Sequence, residues 1–203
     1  MRLLIDASAA VNQGAGIGRY ARALLPLLAE GLPDATIQAL VARDGGADPA
    51  VSADGLERLG NAAIRVKTLP FDRRWADILW FRARLPLAAE LFAGRNDLIY
   101  SPDFTAPPAI RTPSIVTVHD LAFEVAPEYA PAGLRAYLQS VLPRQVRRAA
   151  AIAVVSRTTA RDLEERYGVE PERMTLVSNG VDDRFFNASP LTPEQRATLC
   201  IPE

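Results

Sequence analysis

Ser114-Ile115-Val116-Thr117-Val118-His119-Asp120 is the stretch that decides how the rest of the chain is read. Its first five residues form a short apolar run rich in β-branched side chains. That is the pattern of a strand buried on both faces of a parallel sheet. His119, the only histidine of the chain, follows the strand directly. In an open α/β sheet, ligands bind in the crevice outside the carboxyl ends of the strands. An imidazole at that address can donate, accept or carry a proton near neutral pH. The same residues also fit a plainer role, a buried histidine bonded to backbone with Asp120 as N-cap of the next segment. No second histidine exists to complete a zinc site, and no G-x-S-x-G elbow marks a hydrolase.

Working outward, strand-like and helix-like segments alternate on both sides of this run. Leu3–Asp6, Thr36–Ala42, Ala63–Leu69, Asp97–Ser101, Ala151–Ser156 and Met174–Val177 read as further strands. Ile17–Glu30 is an amphipathic helix with Tyr20, Leu24, Leu27 and Leu28 at helical spacing. Leu56 and Leu59 suggest a short helix, and Pro131–Ala149 a longer one. Trp75–Phe92 reads as a helix that Pro86 interrupts. Thr158–Tyr167 is a helix that stops at Gly168. The alternation predicts an α/β domain, a doubly wound, mostly parallel Rossmann-like sheet with helices on both faces.

Composition narrows the class. With 203 residues, 49% of them hydrophobic and 23% charged, the chain can bury a sizeable core. A net charge of −1 gives no reason to expect nucleic acid as a partner. The single cysteine, Cys200, excludes an internal disulfide and a cysteine zinc cluster. A reducing, cytoplasmic setting fits that usage. The N-terminus carries no secretory signal, and no apolar stretch is long enough to span a bilayer. Residues 1–180 read as one domain. Residues 181–203 lose the pattern after the Asn179-Gly180 turn signal and read as a linker that ends at Ile201-Pro202-Glu203.

Gly14-Ala15-Gly16-Ile17-Gly18-Arg19 lies between the first strand and the first helix. Glycines there let backbone approach a ligand, and the helix N-terminus that follows favours an anion. A dinucleotide fingerprint fails on detail, because Arg19 stands where its third glycine belongs and the Asp6–Gly14 connection is too long. A P-loop fails as well, since no G-K-[ST] follows. The remaining readings are a phosphate- or sugar-contacting loop and a surface loop opening a helix.

Two further stretches mix cations with large rings or gather cations on one helix. Phe71-Asp72-Arg73-Arg74-Trp75 and Trp80-Phe81-Arg82-Ala83-Arg84 form the first, and Arg135, Arg144, Arg147 and Arg148 the second. An interfacial helix can look like this, and so can a core-packed helix with arginines on its wet face.

Taken jointly, Gly14–Tyr20, Thr117-Val118-His119-Asp120-Leu121 and Ala153-Val154-Val155-Ser156 followed by Leu176–Asp182 resemble the N-terminal half of a family-4 glycosyltransferase of the GT-B fold. Tyr100-Ser101-Pro102-Asp103 and Phe123 with Pro127-Glu128-Tyr129 extend the resemblance, which is strongest to bacterial mannosyltransferase-like enzymes of cell-surface polysaccharide synthesis. It implies two Rossmann-like domains facing across a cleft, with a C-terminal, donor-binding domain missing here. It implies retaining transfer from a nucleotide-diphosphate sugar to a saccharide or lipid-linked acceptor, with no metal and no other cofactor. Gly14, Gly16, Ile17 and Gly18 match the loop that touches the donor phosphate and sugar, and His119 the histidine at the reaction centre. Arg19, Asp103 and Asp120 are the expected acceptor contacts, although Arg19 equally suits a helix-surface ion pair. Lipid-linked acceptors would bring the enzyme to the inner face of the plasma membrane as a peripheral protein. A stand-alone sugar- or nucleotide-binding module and a sugar epimerase of the same architecture are the alternatives. A nicotinamide-dependent oxidoreductase is disfavoured by the loop length and Arg19.

Overall fold

In the computed structural model, which describes residues 1–187 and 189–201, seven strands form one parallel sheet. They are β1 (Arg2–Asp6), β2 (Thr36–Val41), β3 (Arg65–Thr68), β4 (Leu98–Ser101), β5 (Ser114–Val118), β6 (Ala151–Val154) and β7 (Met174–Leu176). Their order is β3-β2-β1-β4-β5-β6-β7, so the direction of winding reverses between β1 and β4. The expected fold is what forms, with every strand pair parallel.

Both faces of the sheet are covered, and β1 shows why. Successive strand side chains point to opposite faces. Leu3 and Ile5 pack with Ala21, Leu25 and Leu59, which come from the helices α2 (Gly16–Gly31) and α3 (Pro49–Asn61). Leu4 packs with Leu40, Trp80 and Ile99 on the other face. Val116 and Val118 of β5 meet Leu138, Leu142 and Val146 of α7 (Ala132–Arg148). Leu25 is fully buried, and each such leucine contributes about 2 kcal/mol. The helix α8 (Arg157–Tyr167) begins where the Ser156 side chain accepts from Thr159 N–H and ends at Gly168, which takes the left-handed conformation at φ 62°.

Two expectations need correcting. The Asp6–Gly14 connection is not a plain loop, because it contains a five-residue helix, α1 (Ser8–Asn12). Two glycines let its neighbours close on it. A Cβ on Gly18 of α2 would lie 1.8 Å from Gln13 O, and one on Gly55 of α3 would lie 2.5 Å from Ala10 O. Arg22 then closes the helix end, donating from one guanidinium nitrogen to Ala10 O and Gln13 O, both at 2.8 Å, while its Nε pairs with Asp54 at 3.3 Å.

Trp75–Phe92 is also not one helix. It breaks into α4 (Arg73–Ala76), a π-helical turn over Asp77–Arg82, an irregular stretch and α5 (Glu90–Ala93). Trp80 is buried, with its indole N–H bonded to Leu87 O at 2.8 Å, so the chain must fold back on itself here. Tertiary packing of that ring overrides the helical propensity of the segment. Beyond β5 lie the short helix α6 (Ala122–Val125) and, after β7, α9 (Asp183–Phe186) and α10 (Pro193–Thr198). The last two fall in the expected linker, of which Ala188, Pro202 and Glu203 lie outside the described residues.

Candidate active site

Winding reverses between β1 and β4, so the carboxyl ends of these strands define the crevice in which such sheets bind ligands. Asp6 ends β1, and Pro102-Asp103 follow the end of β4. His119 follows β5, the next strand along.

His119 is held from several sides. Its Nε2 lies 2.9 Å from Pro102 O. A carbonyl oxygen can only accept, so this bond places the hydrogen on Nε2 and makes Nδ1 the acceptor of the neutral ring. Tyr20 packs edge-on against the imidazole at 4.9 Å between centroids, and Phe104 at 5.8 Å. The His119 carbonyl accepts from the Thr159 hydroxyl at 3.1 Å, which ties the residue to α8. The residue is half-buried.

Tyr20 belongs to α2, so its contact brings the Gly loop and His119 together. Its hydroxyl meets that of Tyr100 at 3.3 Å, and Tyr100 in turn meets Thr117 Oγ1 at 3.0 Å. Burial pushes the Tyr100 phenol well above its ordinary pKa, so it stays protonated and serves the network as a neutral hydroxyl. No side chain caps the N-terminus of α2, and its first turn holds no acidic residue. The first bond of the helix runs from Arg19 N–H to Ala15 O at 3.0 Å. The N–H groups of Gly16, Ile17 and Gly18 therefore have no acceptor from their own helix, the arrangement that suits an anion.

The expected loop residues differ in role. Gly14 and Gly16 are exposed, and Ile17 is half-buried. Nothing lies within 4 Å of a Cβ built on Gly16, whereas Gly18 is buried against the α1 backbone. Arg19 is exposed and makes no ion pair among the described residues. Asp103 links the loops, with Oδ1 accepting from Phe104 N–H at 2.7 Å and Oδ2 from Gln13 Nε2 at 3.4 Å. Asp120 is exposed and accepts from Ala122 N–H at 2.9 Å, a local turn that opens α6. Of the residues expected at the site, His119, Asp103 and the Gly loop share one edge of the sheet.

Sequence reading did not single out a polar niche beside Asp103. It has a volume of about 30 Å³ and includes Asp6, Ser8, Arg73, Asp77 and Thr105. Arg73 and Asp77 also line an adjoining cleft of about 410 Å³. The Tyr137 hydroxyl donates to Asp77 at 3.3 Å, and burial raises the Asp77 carboxyl above its usual pKa. Asp6 accepts from Ser8 N–H at 3.0 Å. Burial raises its carboxyl too, against the opposing pull of that hydrogen bond and of Arg73. A charged residue closing an otherwise apolar strand was the one signal of Asp6 in the sequence. Nothing marked Asp77, since the π-helical turn that aims it depends on where Trp80 packs.

The sign for Asp6 follows from linkage. A carboxyl whose pKa is raised in the folded state binds its proton more tightly there than in the unfolded chain. Its contribution to stability is present below the unfolded value and is lost as pH rises through the folded one. Asp6→Asn should therefore raise the melting temperature at neutral pH, with the gain shrinking toward pH 4. A variant less stable than wild type at pH 7, measured by circular dichroism across that range, would contradict this placement of Asp6.

Fold and geometry together give a doubly wound α/β domain whose winding reverses between β1 and β4, with an N-terminus of α2 that no side chain caps and an imidazole held just past the end of β5. The chain belongs to glycosyltransferase family 4, whose family pattern it matches over residues 15–185. Among solved structures, it resembles the crystal structure of a glycosyltransferase from Rickettsia africae ESF-5, with a TM-score of 0.50 and 14% identity. The match covers all of this chain and 50% of that one, so the chain spans about half the length of its structural neighbour. No curated protein matches the sequence. No helix among the described residues is long and apolar enough to cross a membrane.

Proposed function

We propose that this chain forms the acceptor-side wall of a retaining hexosyltransferase, mannosyltransferase-like, with a second domain supplying the donor wall. The donor is a nucleotide-diphosphate sugar, and the acceptor a saccharide or lipid-linked saccharide of bacterial cell-surface polysaccharide synthesis. The observation that supports this reading is the edge contact of His119 with Tyr20, which belongs to the helix whose N-terminus no side chain caps.

The chemistry follows from that arrangement. As the glycosidic bond to the nucleoside diphosphate breaks, negative charge grows on the leaving phosphate. Preorganised N–H groups of Gly16 and Ile17 stabilise it, and they need no reorganisation during the reaction. The sugar becomes oxocarbenium-like, so its orientation decides the rate. His119, donating Nε2–H to Pro102 O, keeps Nδ1 to accept from a sugar hydroxyl. Its role is to position the sugar. The niche around Asp6, Asp77 and Asp103 offers carboxyl groups to acceptor hydroxyls, and Arg19 and Asp120 are the other acceptor contacts of this reading.

Transfer is measured by incubating nucleotide-diphosphate hexoses with simple glycoside acceptors, using this chain alone and the enzyme completed by its donor domain. The completed enzyme should give a product whose anomeric proton, read by NMR, keeps the donor configuration. The chain alone should give no detectable product, because one wall cannot bind the transition state differentially. Net inversion, or robust transfer by the chain alone, would sink the proposal.

A further inference from the structure

The basic stretches that the crevice leaves unused, Trp80–Arg84 and the arginines of α7, converge on a second cavity. Its volume is about 330 Å³, and its lining includes Phe81, Arg84, Leu85, Ile110, Arg144 and Arg148. Arg144 and Arg148 stand one helical turn apart and face the same way. Arg84 approaches from the other side with its backbone in the left-handed region, φ 56°, two residues after the π-helical turn. Hydrogen bonds from Ala83 N–H to Ile78 O at 2.7 Å and from Leu85 N–H to Leu79 O at 2.8 Å hold it there. Such strained positions, and π-helical turns, concentrate at functional sites.

The charge around this cavity is unbalanced. No carboxylate lines it. The guanidinium groups of Arg84, Arg144 and Arg148 have no ion pair or hydrogen bond among the described residues. Glu90, on the neighbouring α5, is turned instead to the N–H groups of Ile110, Arg111 and Thr112 and to the Thr112 hydroxyl at 2.9 Å. Guanidinium groups match phosphate oxygens in geometry and charge. Leu85 is 41% and Ile110 72% exposed, so apolar side chains stand at the surface beside the exposed arginines, over a floor that includes the buried Trp80 and Val141. The cavity reaches Ser114, at the start of β5, whereas His119 lies beyond that strand's end, so the two sites are separate.

We propose that this cavity binds the phosphate group of a phosphate ester, with the exposed Leu85 and Ile110 favouring a lipid headgroup over a soluble ester. The test compares wild type, Arg144→Gln/Arg148→Gln and a charge-matched control, Arg161→Gln/Arg166→Gln, whose exposed arginines lie on α8. Thermal melts first confirm that all three fold. Flotation with phosphatidylcholine–phosphatidylglycerol vesicles, against pure phosphatidylcholine, reads the lipid source. Calorimetry with glycerol 3-phosphate reads the soluble one. Wild type and control should bind the anionic vesicles, with affinity falling roughly thirtyfold in the Arg144/Arg148 variant. Glycerol 3-phosphate binding lost in that variant, without vesicle binding, supports the same site with a soluble ligand. Binding of neither ligand, retention in the Arg144/Arg148 variant, or equal loss in the control would overturn the proposal. If Arg144/Arg148 fails to fold, Arg84→Gln takes its place under the same criteria.

Discussion

Gly18→Ala will melt about 10 °C below the wild type. The added Cβ would fall 1.8 Å from Gln13 O and 2.9 Å from Ala9 O, both backbone atoms of the α1 segment. Neither can turn aside as a flexible side chain would. Relief requires α2 to move away from α1, which pulls Arg22 from the carbonyls of Ala10 and Gln13 that it bridges at 2.8 Å. Overpacking of this kind costs about 3 kcal/mol, and a chain of this size loses roughly 2–4 °C per kcal/mol. Gly16→Ala is the matched comparison, because nothing lies within 4 Å of its Cβ and alanine is the better helix former. It should melt within about 2 °C of wild type. Differential scanning fluorimetry separates the two, and a Gly18→Ala chain as stable as Gly16→Ala would refute the close approach of α1 and α2.

His119→Ala will lower turnover of the completed enzyme on the order of a hundredfold or more, the scale of losing one positioned group at a reacting centre. The fold should lose far less. The substitution removes one hydrogen bond to Pro102 O and the edge contacts with Tyr20 and Phe104, together about 1–2 kcal/mol. Val118 and Leu121 on either side remain buried and hold the strand end in place. Initial rates at saturating and subsaturating donor, set beside melting curves of the 203-residue chain, test both halves. Wild-type turnover in the variant would remove His119 from the site, and a collapsed melt would make it a structural residue.

Much of this was written in the local sequence. Short, largely apolar runs between turn signals locate β1, β4, β5 and β6, because a strand covered on both faces favours apolar residues over most of its length. Ser156 and Gly168 bracket α8 by chemistry local to each residue. The address of His119, one residue past a buried strand, follows from the same local reasoning. The glycines of the first loop were equally visible, but not the division of labour among them. Whether a glycine faces a ligand or another backbone depends on what packs beside it, and α1 has too few residues to announce itself by periodicity.

The sequence alone determined the class of fold, the strands of the sheet and the edge at which His119 sits, since each rests on contacts between neighbours in the chain. Tertiary structure decided the rest. It set the Tyr20 ring against His119, broke the Trp75–Phe92 segment so that Trp80 could be buried and Asp77 could line the same niche as Asp6, and gathered Arg84 with Arg144 and Arg148. Each of these joins residues distant in the chain, and which distant residues meet is settled only by the packing of whole helices and strands.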